Sequence, residues 1–547
     1  MVTDRLCWAI LGAAMVAAAA LILYLNRGTT FNPDELEWIV FTLDLNATDV
    51  LEPHNGNLIA TTRVAYKTIL EAFGPDYLAF RLLGVLAVVL AGALFYALVK
   101  RRIGAIPALA PTVVLLFFGS AGGYVVAPIG SAALFSIAAG LAALLALELG
   151  DRRGDLAACA LMVFSLATFS TGLAFLVGVA ISVVAHPDRR RRAWIFLVPL
   201  GLYAAWWVWA LGSPGSSEGE VKISNALLIP NYAADALATA TAALAGLDFD
   251  FTGEPNEAGG ELGWGTILAV PALAALALRI KQGNVPSSLW ASLGIVVTFW
   301  ILGAFAFSGL RTPGSERYVY MGAVGVLLVA TDAARGIRFS KLGLAALFAA
   351  CAISLATNAA LLRDAGASIR DRSISARAQF TVLELARGHV DPGFAGITNL
   401  WIFREATPAG PYFEVVDNYG SLGLSLPELE TQSEGVRAQA DQVLASALEL
   451  RLQPSFGGPA AGCRELGTRG EDGPIGFELP PGGASLRVRA KGPAPVALGR
   501  FGTSPSAELG SLSPGEMTLL RVSTDSSPKP WRASVAGASS VEVCAVR

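Results

Sequence analysis

Long apolar runs separated by short polar connections dominate the chain up to about residue 362. A helix needs about 20 apolar residues to cross the hydrocarbon core of a bilayer. The first run covers about residues 7–25 and lacks an Ala-x-Ala cleavage site, which favours a retained signal-anchor helix over a cleaved signal peptide. Further runs begin near residues 78, 103, 125, 156, 172, 194, 262, 289, 318 and 342. The pattern predicts an α-helical polytopic membrane protein with about eleven transmembrane helices.

The charges of the connections predict how the chain crosses the membrane. One set of connections carries basic clusters such as Lys100–Arg102 and Arg189–Arg192, whereas the loops at residues 27–76 and 212–261 are acidic. Basic loops stay in the cytoplasm. We therefore expect a multi-pass protein of the inner or plasma membrane with a cytoplasmic N-terminus and outward-facing acidic loops. An odd number of spans then places the segment after residue 362 outside.

That C-terminal segment has the composition of a soluble domain. Residues 363–450 contain helical patterns, and residues 451–547 are punctuated by Gly and Pro. Apolar and basic residues alternate over residues 486–491, which is the period of a half-buried strand. The sequence therefore predicts a transmembrane domain over residues 1–362 and an extracytoplasmic α+β domain over residues 363–547. The latter ends in a β-sandwich or jelly-roll.

Two of the five cysteines fall within the predicted outer domain, at Cys463 and Cys544. An oxidising compartment lets such cysteines pair, and no CxxC or CxxH spacing indicates a metal site. A disulfide between them closes a loop of about 80 residues and contributes on the order of 4 kcal/mol to stability. We expect this disulfide to form.

Composition and charge exclude several classes of protein. Hydrophobic residues make up 54% of the 547-residue chain and charged residues 15%, and the mean hydropathy is +0.54. These values exclude a disordered chain, a small disulfide-rich domain and an ordinary cytosolic enzyme. A net charge of −3 provides no basic field, so nucleic acid is excluded as a partner.

The loop after the first span carries the first candidate chemistry. In Asn32-Pro33-Asp34-Glu35, Asn32 is suited to cap a helix, Pro33 to be its first residue, and the two acids to complement the helix dipole. The same carboxylates follow the span by only about eight residues, where a lipid-borne substrate presents its head group. The pattern fits a helix start and a reaction site, and both interpretations stay open.

Further polar residues follow in the same loop and near a later span. The loop contains His54-Asn55-Gly56 and an amphipathic stretch over about residues 58–73, which suits a helix lying on the membrane surface. The next span begins with a segment that contains Arg81-Leu82-Leu83-Gly84. A later outer loop runs through Ser315-Glu316-Arg317-Tyr318 directly into another span.

An acidic pair after the first span, a His-bearing segment, an interfacial helix and this type of second span together resemble the GT-C superfamily. Its members are polytopic glycosyltransferases that use polyprenyl-phosphate sugars, among them protein mannosyltransferases and bacterial lipid-sugar transferases. The resemblance is greatest over residues 1–190 and returns at Arg317-Tyr318. His54-Asn55-Gly56 occupies the place of the His-Pro-Pro found in many members, so the resemblance names no subfamily.

The resemblance implies roles for individual residues. Asp34 matches the catalytic carboxylate, which takes the proton of the acceptor hydroxyl, and Glu35 is its neighbour and a possible substitute. Cations are needed to hold the departing phosphate, and a guanidinium group matches phosphate geometry. For Arg317 and Tyr318 the alternative is interfacial anchoring, and for His54 it is a hydrogen-bonded loop histidine. The candidates for the donor phosphate are Arg317, Arg311, Arg63 and Lys67, and those for other substrate contacts are His54 and Tyr318.

The implied reaction transfers a sugar from a polyprenyl-phosphate donor to an envelope glycan, lipid or protein on the outer face, with inversion at the anomeric carbon. No residue set fixes a metal site, and a divalent ion, which some relatives use, is left open. The alternative is a catalytically inactive scaffold or a transporter of envelope-polysaccharide assembly. A transporter should show ionisable residues in mid-span and repeated halves, whereas the sequence has few such charges and no evident repeat.

Overall fold

The structure is a computed structural model, and the chain forms two compact units. The first comprises Met1–Arg27, Asp44–Glu71 and Leu78–Ile369, and the second Gly28–Leu43, Ala72–Tyr77 and Arg370–Arg547. The described part of the chain consists of residues 2–41, 43–44, 46–213, 222–247, 263–283, 285–308, 311–395, 408–454, 462–467, 473–522, 527 and 529–546.

Helices account for the first unit and for part of the second. In chain order they are α1 (Val2–Leu25), α2 (Pro33–Val40), α3 (Ala47–Leu51), α4 (Ala60–Phe73), α5 (Tyr77–Ile103), α6 (Ala105–Leu116), α7 (Gly122–Val126), α8 (Ser131–Leu147), α9 (Arg152–Thr168), α10 (Gly172–Val184), α11 (Arg189–Arg192), α12 (Trp194–Ala210), α13 (Ile229–Ala245), α14 (Trp264–Lys281), α15 (Ser287–Phe305), α16 (Glu316–Ala333), α17 (Lys341–Leu385), α18 (Ala409–Tyr419), α19 (Leu426–Glu430) and α20 (Glu434–Ala447).

Eight helical segments in the described part of the chain are long and apolar enough to cross a membrane. The prediction of a multi-pass membrane protein is confirmed, whereas the number of spans and their orientation stay predictions. Three of the eleven predicted runs form helices outside this set. Of these, α9 has 17 residues and α10 has 13, while α16 contains three charged residues. The eight segments are Asp4–Leu25, Tyr77–Ile103, Ala105–Val126, Pro128–Leu147, Arg189–Ala210, Trp264–Lys281, Ser287–Phe305 and Lys341–Leu385.

Glycines let the helices of the first unit approach closely. A Cβ atom added to Gly140 on α8 would lie 2.2 Å from the ring of Phe175 on α10. Likewise, a Cβ atom on Gly178 of α10 would lie 2.5 Å from the side chain of Ile295 on α15. Small residues are the usual means of packing helices in a membrane, where burial of apolar surface drives association only weakly. The core of α8, α10 and α15 therefore depends on shape rather than on hydrophobicity alone.

The second unit contains a β-sandwich, as the sequence predicts. Its two sheets are antiparallel, with the strand orders β1-β7-β4-β9-β2 and β3-β8-β5-β6. In β4, Leu486 and Val488 are buried while Arg487 and Arg489 are exposed, which is the alternation expected for one buried face. The strands are β1 (Leu452–Pro454), β2 (Arg464–Gly467), β3 (Ile475–Glu478), β4 (Gly483–Ala490), β5 (Ala494–Gly499), β6 (Ala507–Leu512), β7 (Met517–Arg521), β8 (Arg532–Val535) and β9 (Ala538–Ala545).

The boundaries of the units differ from the predicted domains. The predicted division after residue 362 lies inside α17, and the units separate after Ile369. A helix satisfies its own backbone hydrogen bonds in lipid and in water alike, so its sequence need not break where its surroundings change. Much of the predicted outer loop at residues 212–261 lies outside the described residues, with α13 described between them.

Part of the first predicted loop also belongs to the second unit. Residues 28–43 and 72–77 were expected to form one outer loop of the transmembrane domain, but both segments pack with the C-terminal residues. Phe31, Leu36 and Trp38 are buried there. The reason is apolar burial, because α2 packs against α18 and thereby removes these side chains from water.

Candidate functional site

The acidic segment after α1 forms a capped helix, α2. Asn32 is its N-cap: the side chain of Asn32 accepts a hydrogen bond from the backbone N–H of Glu35 (3.0 Å), and the Glu35 carboxylate accepts one from the backbone N–H of Asn32 (3.0 Å). This is a capping box. Glu35 is fully buried and also accepts a hydrogen bond from the hydroxyl of Tyr77 at 2.8 Å. These contacts make Glu35 a structural residue of the second unit.

Asp34 lies beside Glu35 but is placed differently. It is half-buried in the first turn of α2, where its negative charge is favoured by the helix dipole. The sequence pattern was compatible with a helix start and with a reaction site, and α2 has a feature that corresponds to each. The helix start is present, with Glu35 as its buried partner, and Asp34 carries the carboxylate that stays partly exposed.

His54 begins a tight turn in the first unit. The backbone N–H and carbonyl groups of His54 and Asn57 pair with each other, each at 2.9 Å. Between them, Asn55 (φ 50°) and Gly56 (φ 76°) both have left-handed backbones, as a type I′ turn requires. His54 is buried and its Nε2 atom lies 3.1 Å from the side-chain amide of Asn55. This contact is the one expected of a hydrogen-bonded loop histidine.

This turn forms one wall of a cavity of about 180 Å³ in the first unit. The other walls come from the connection between α9 and α10, from α12, from the end of α15 and from the start of α16. Two hydrogen bonds join the walls: the Ser170 hydroxyl donates to the side-chain oxygen of Asn57, and Arg311 Nη2 donates to the carbonyl of Asn55 at 3.4 Å. The lining residues are Asn55, Gly56, Asn57, Phe169, Ser170, Thr171, Leu173, Tyr203, Trp207, Phe299, Leu302, Gly303, Ala306, Arg311, Arg317 and Tyr318.

The charged residues in the described lining of this cavity are basic. Its described lining includes two arginines, Arg311 and Arg317, and no carboxylate. The neighbouring acid Glu316 is directed elsewhere, since a Cβ atom on Gly123 would lie 2.0 Å from Glu316 Oε2. A concave site whose lining carries two guanidinium groups suits an anionic ligand.

Aromatic rings supply much of the remaining surface. Tyr318 lies 5.8 Å from Phe299 between ring centroids, and the guanidinium carbon of Arg317 lies 5.5 Å from the centroid of the Tyr318 ring. Phe169, Tyr203 and Trp207 complete the set of aromatic lining residues. An apolar cavity with a few placed polar groups is the usual form of a small-molecule site. Its combination of rings and guanidinium groups suits a ligand with both an apolar or sugar part and a phosphate.

The other predicted phosphate ligands have different partners. Arg63 is fully buried in α4, and its Nη1 donates to the backbone carbonyls of Asp49 (2.6 Å) and Glu52. Lys67 forms an ion pair with Glu71 one turn further along α4, at 2.8 Å. Neither Arg63 nor Lys67 lines the cavity. Arg63 instead fixes the loop around α3 in the first unit.

The structure thus brings together three of the predicted residues, Arg311, Arg317 and Tyr318. Asp34 and Glu35 belong to the second unit, and His54 adjoins the cavity through the turn that it begins. Sequence reasoning missed most of the lining, including Asn57, Ser170, Tyr203, Trp207 and Phe299. The Asn55-Gly56 pair was the one available signal, because this dipeptide marks a type I′ turn.

Comparisons with solved structures give remote similarities, two of which are described here. No protein-family model matches the chain, and no curated protein matches its sequence. ArnT from Cupriavidus metallidurans, solved bound to undecaprenyl phosphate, has a TM-score of 0.43 and 12% identity over 76% of this chain and 84% of that chain. The archaeal oligosaccharyltransferase AglB from Archaeoglobus fulgidus, solved with an inhibitory peptide and a dolichol-phosphate, has a TM-score of 0.41 and 11% identity over 81% and 69%.

Both are similarities of fold. At TM-scores and identities this low, they carry no conclusion about the activity, the substrate or the site residues of this chain.

Proposed function

We propose that the protein is a membrane glycosyltransferase that transfers a sugar from a polyprenyl-phosphate donor to an acceptor of the cell envelope. The observation that carries this proposal is the cavity of the first unit, in whose lining Arg311 and Arg317 lie among aromatic rings. A lipid-linked sugar phosphate has an anionic group and a sugar ring, and this cavity offers partners for both. The resemblance of the sequence to the GT-C superfamily supports the same assignment.

In the proposed reaction, the acceptor hydroxyl oxygen attacks the anomeric carbon and the bond from this carbon to the phosphate oxygen breaks. The electron pair of the broken bond leaves with the polyprenyl phosphate. Arg311 and Arg317 stabilise the negative charge that develops on this phosphate. This interaction lowers the energy of the transition state. Attack from the face opposite the leaving group inverts the anomeric carbon. Tyr318 contacts the bound donor from the same cavity.

Asp34 is proposed as the base that takes the proton of the acceptor hydroxyl. This role rests on its place in the sequence, just after the first span, and on its match to the catalytic carboxylate of the superfamily. Glu35 is not proposed as a substitute, because its carboxylate is buried and bound to Asn32 and Tyr77. The acceptor is an envelope glycan, lipid or protein.

The test is binding and turnover of a panel of polyprenyl-phosphate sugars by the purified full-length protein. A ligand that binds the folded state raises its thermal stability in proportion to ln(1 + [L]/Kd). We expect one donor to stabilise both the wild type and Asp34→Asn. Turnover should fall about 10²- to 10⁴-fold in Asp34→Asn, because a positioned base contributes a factor of this size. Asp44→Asn, which changes an exposed carboxylate of the same loop, is the matched control and should retain turnover.

Arg317→Gln tests the cavity separately. It removes one of the two cations, so we expect the apparent affinity for the donor to fall about tenfold or more. Arg338→Gln, which removes an exposed arginine outside the cavity, should bind the donor like the wild type. Absence of stabilisation across the whole panel would contradict the donor class and favour a scaffold. Stabilisation without turnover in the wild type would favour a transporter or an inactive relative.

A further inference from the structure

A second polar cavity lies at the other end of the same helices. The first cavity is lined by the start of α10, the end of α15 and the start of α16, whereas the second is lined by the end of α10, the start of α15 and Arg335, just beyond the end of α16. Its volume is about 410 Å³. The charged residues in its lining are Arg101, Arg102, Glu148, Arg192 and Arg335.

One lining residue of this cavity, Arg102, belongs to a buried ion pair that joins three helices. Arg102 at the end of α5 contacts Asp332 at the end of α16 at 2.7 Å, with side-chain exposures of 5% and 0%. Two hydroxyls of α15 donate to the same carboxylate, Ser288 at 2.7 Å and Ser292 at 2.6 Å. A buried pair needs such additional hydrogen bonds to offset its desolvation. The guanidinium of Arg102 is therefore held in place while its Nε atom is buried without a hydrogen-bond partner.

The remaining arginines outnumber the acids available to them. Arg101 pairs with Glu148 at 2.8 Å on the wall of the cavity. Arg192, at the end of α11, binds both carboxylate oxygens of Asp155 behind the wall. Arg335 has only a long contact of 3.4 Å with the Ser288 hydroxyl among the described residues. Glu148, Asp332 and Asp155 are thus each paired with one arginine. The fourth arginine, Arg335, gives this group of described side chains a net positive charge.

A helix N-terminus adds to this positive potential. Helix α15 has 19 residues, and its first residues, Ser287 and Ser288, line the cavity. Its N-cap is Pro286, which provides no side-chain hydrogen bond to the first turn. The free N–H groups of a first turn and the positive end of the dipole attract anions. Arg335 and the start of α15 therefore act on the same space.

We propose that this second cavity binds a phosphate-bearing anion, held by Arg335 and the first turn of α15 beside the buried Arg102. Guanidinium groups and helix N–H groups are both good partners for phosphate oxygens. Leu144, Leu147 and Val183 in the lining tolerate a molecule with an apolar portion. The same chemistry is offered by a phospholipid head group and by a soluble phosphate. This site is independent of the proposed transfer reaction.

Thermal stabilisation of the full-length protein in detergent by two probes tests the site. The probes are phosphatidylglycerol, compared with phosphatidylcholine at the same concentration, and inorganic pyrophosphate. We expect one of them to raise the unfolding temperature of the wild type. Arg335→Gln should weaken its apparent affinity about tenfold or more, since a charge-assisted hydrogen bond is lost. Stabilisation by phosphatidylglycerol alone identifies a lipid head group, and stabilisation by pyrophosphate identifies a soluble phosphate.

The matched control is Arg338→Gln, which removes the same charge three residues further along the chain at an exposed position outside the cavity. An equal loss in Arg338→Gln would show diffuse attraction to basic residues and overturn the proposal. No stabilisation of the wild type by either probe would overturn it as well.

A second variant separates loss of the ligand from loss of the fold. Ser287→Asp places a negative charge at the start of α15, where it favours the helix and opposes an anion. We expect the unfolding temperature without probe to be unchanged or higher, and the shift caused by the probe to disappear. A retained shift in Ser287→Asp would contradict binding at this helix end.

Discussion

The turn that begins at His54 depends on two residues in the left-handed region, Asn55 and Gly56. Glycine adopts this conformation without cost, whereas a residue with a Cβ atom is strained by about 1–2 kcal/mol. We expect Gly56→Ala to lower the free energy of unfolding of the purified protein by about that amount. Thermal and denaturant-induced unfolding would measure the change.

Two further variants give this prediction its controls. Gly56→Asn should recover much of the stability, because asparagine tolerates the left-handed region better than other residues with a side chain. Gly12→Ala changes a glycine of α1 with open space around it and should not destabilise the protein, since alanine favours a helix. A loss in Gly12→Ala equal to that in Gly56→Ala would speak against backbone strain at the turn.

Glu434 in the second unit links α20 to a backbone loop. Its carboxylate accepts hydrogen bonds from the backbone N–H groups of Thr503 (2.7 and 2.9 Å) and Ser504 (3.3 Å). These contacts lower the pKa of Glu434 below its ordinary value of 4.5, and the hydrogen bond from the Thr503 N–H is the largest cause. A carboxyl whose pKa is lower in the folded state stabilises that state above the ordinary pKa and ceases to do so as the pH falls through the folded value.

We therefore expect Glu434→Gln to increase hydrogen exchange at residues 502–504 at neutral pH. The difference from the wild type should shrink as the pH falls from about 4.5 through the lower pKa of the folded state, because the wild-type carboxyl then becomes protonated and comes to resemble the amide. Hydrogen exchange of both proteins, measured by mass spectrometry at the same pH values, gives this difference. Glu508→Gln, at an exposed position of β6, should leave exchange at the loop unchanged at every pH.

At the scale of elements, α2 shows what local sequence predicts well. Asn32, Pro33 and Glu35 specify the start of the helix through contacts over three residues, and the structure has the expected N-cap. The sequence did not reveal that Glu35 and Asp34 have different environments. That difference depends on Tyr77, which is distant in the chain and donates to Glu35. A local pattern predicts the helix start, and only the fold separates the two carboxylates.

A disulfide joins Cys463, which directly precedes β2, to Cys544 within β9. Cross-linking a loop of this length, with a sequence separation of 81 residues, restricts the unfolded chain and contributes about 4 kcal/mol. We expect the double variant Cys463→Ala/Cys544→Ala to unfold at a lower temperature than the wild type. Unfolding with and without a reductant, followed by calorimetry, measures the difference.

The reductant supplies the control for this prediction. It should lower the unfolding temperature of the wild type and leave that of the double variant unchanged. The three free cysteines of the described chain, Cys7, Cys159 and Cys351, are buried in the first unit and offer no second disulfide. If the reductant also lowered the unfolding temperature of the double variant, the Cys463–Cys544 disulfide would not be the cause of the effect.

At the scale of the whole molecule, the sequence predicted the classes of structure better than their borders. Apolar runs and alternating strands are local signals, so the membrane helices and the β-sandwich were both predicted. The assignment of residues 28–43 to the second unit was missed, because it depends on the packing of α2 against α18. The first cavity was predicted only through Arg311, Arg317 and Tyr318. Asn57, Ser170 and Phe299 reach it from distant segments, which periodicity cannot reveal.

The strand order of the larger sheet has a consequence for the time course of folding. Among the described strands, β2 has β9 as its one partner, and the central strand β4 pairs with β7 and β9. Because a ribosome delivers residues in order, β2 and one edge of β4 stay uncovered until Ala538–Ala545 has been made. Pairings between segments so far apart form slowly, and uncovered strand edges invite association with other chains. The sandwich therefore passes through a vulnerable interval during synthesis, which ends when β9 inserts between β4 and β2.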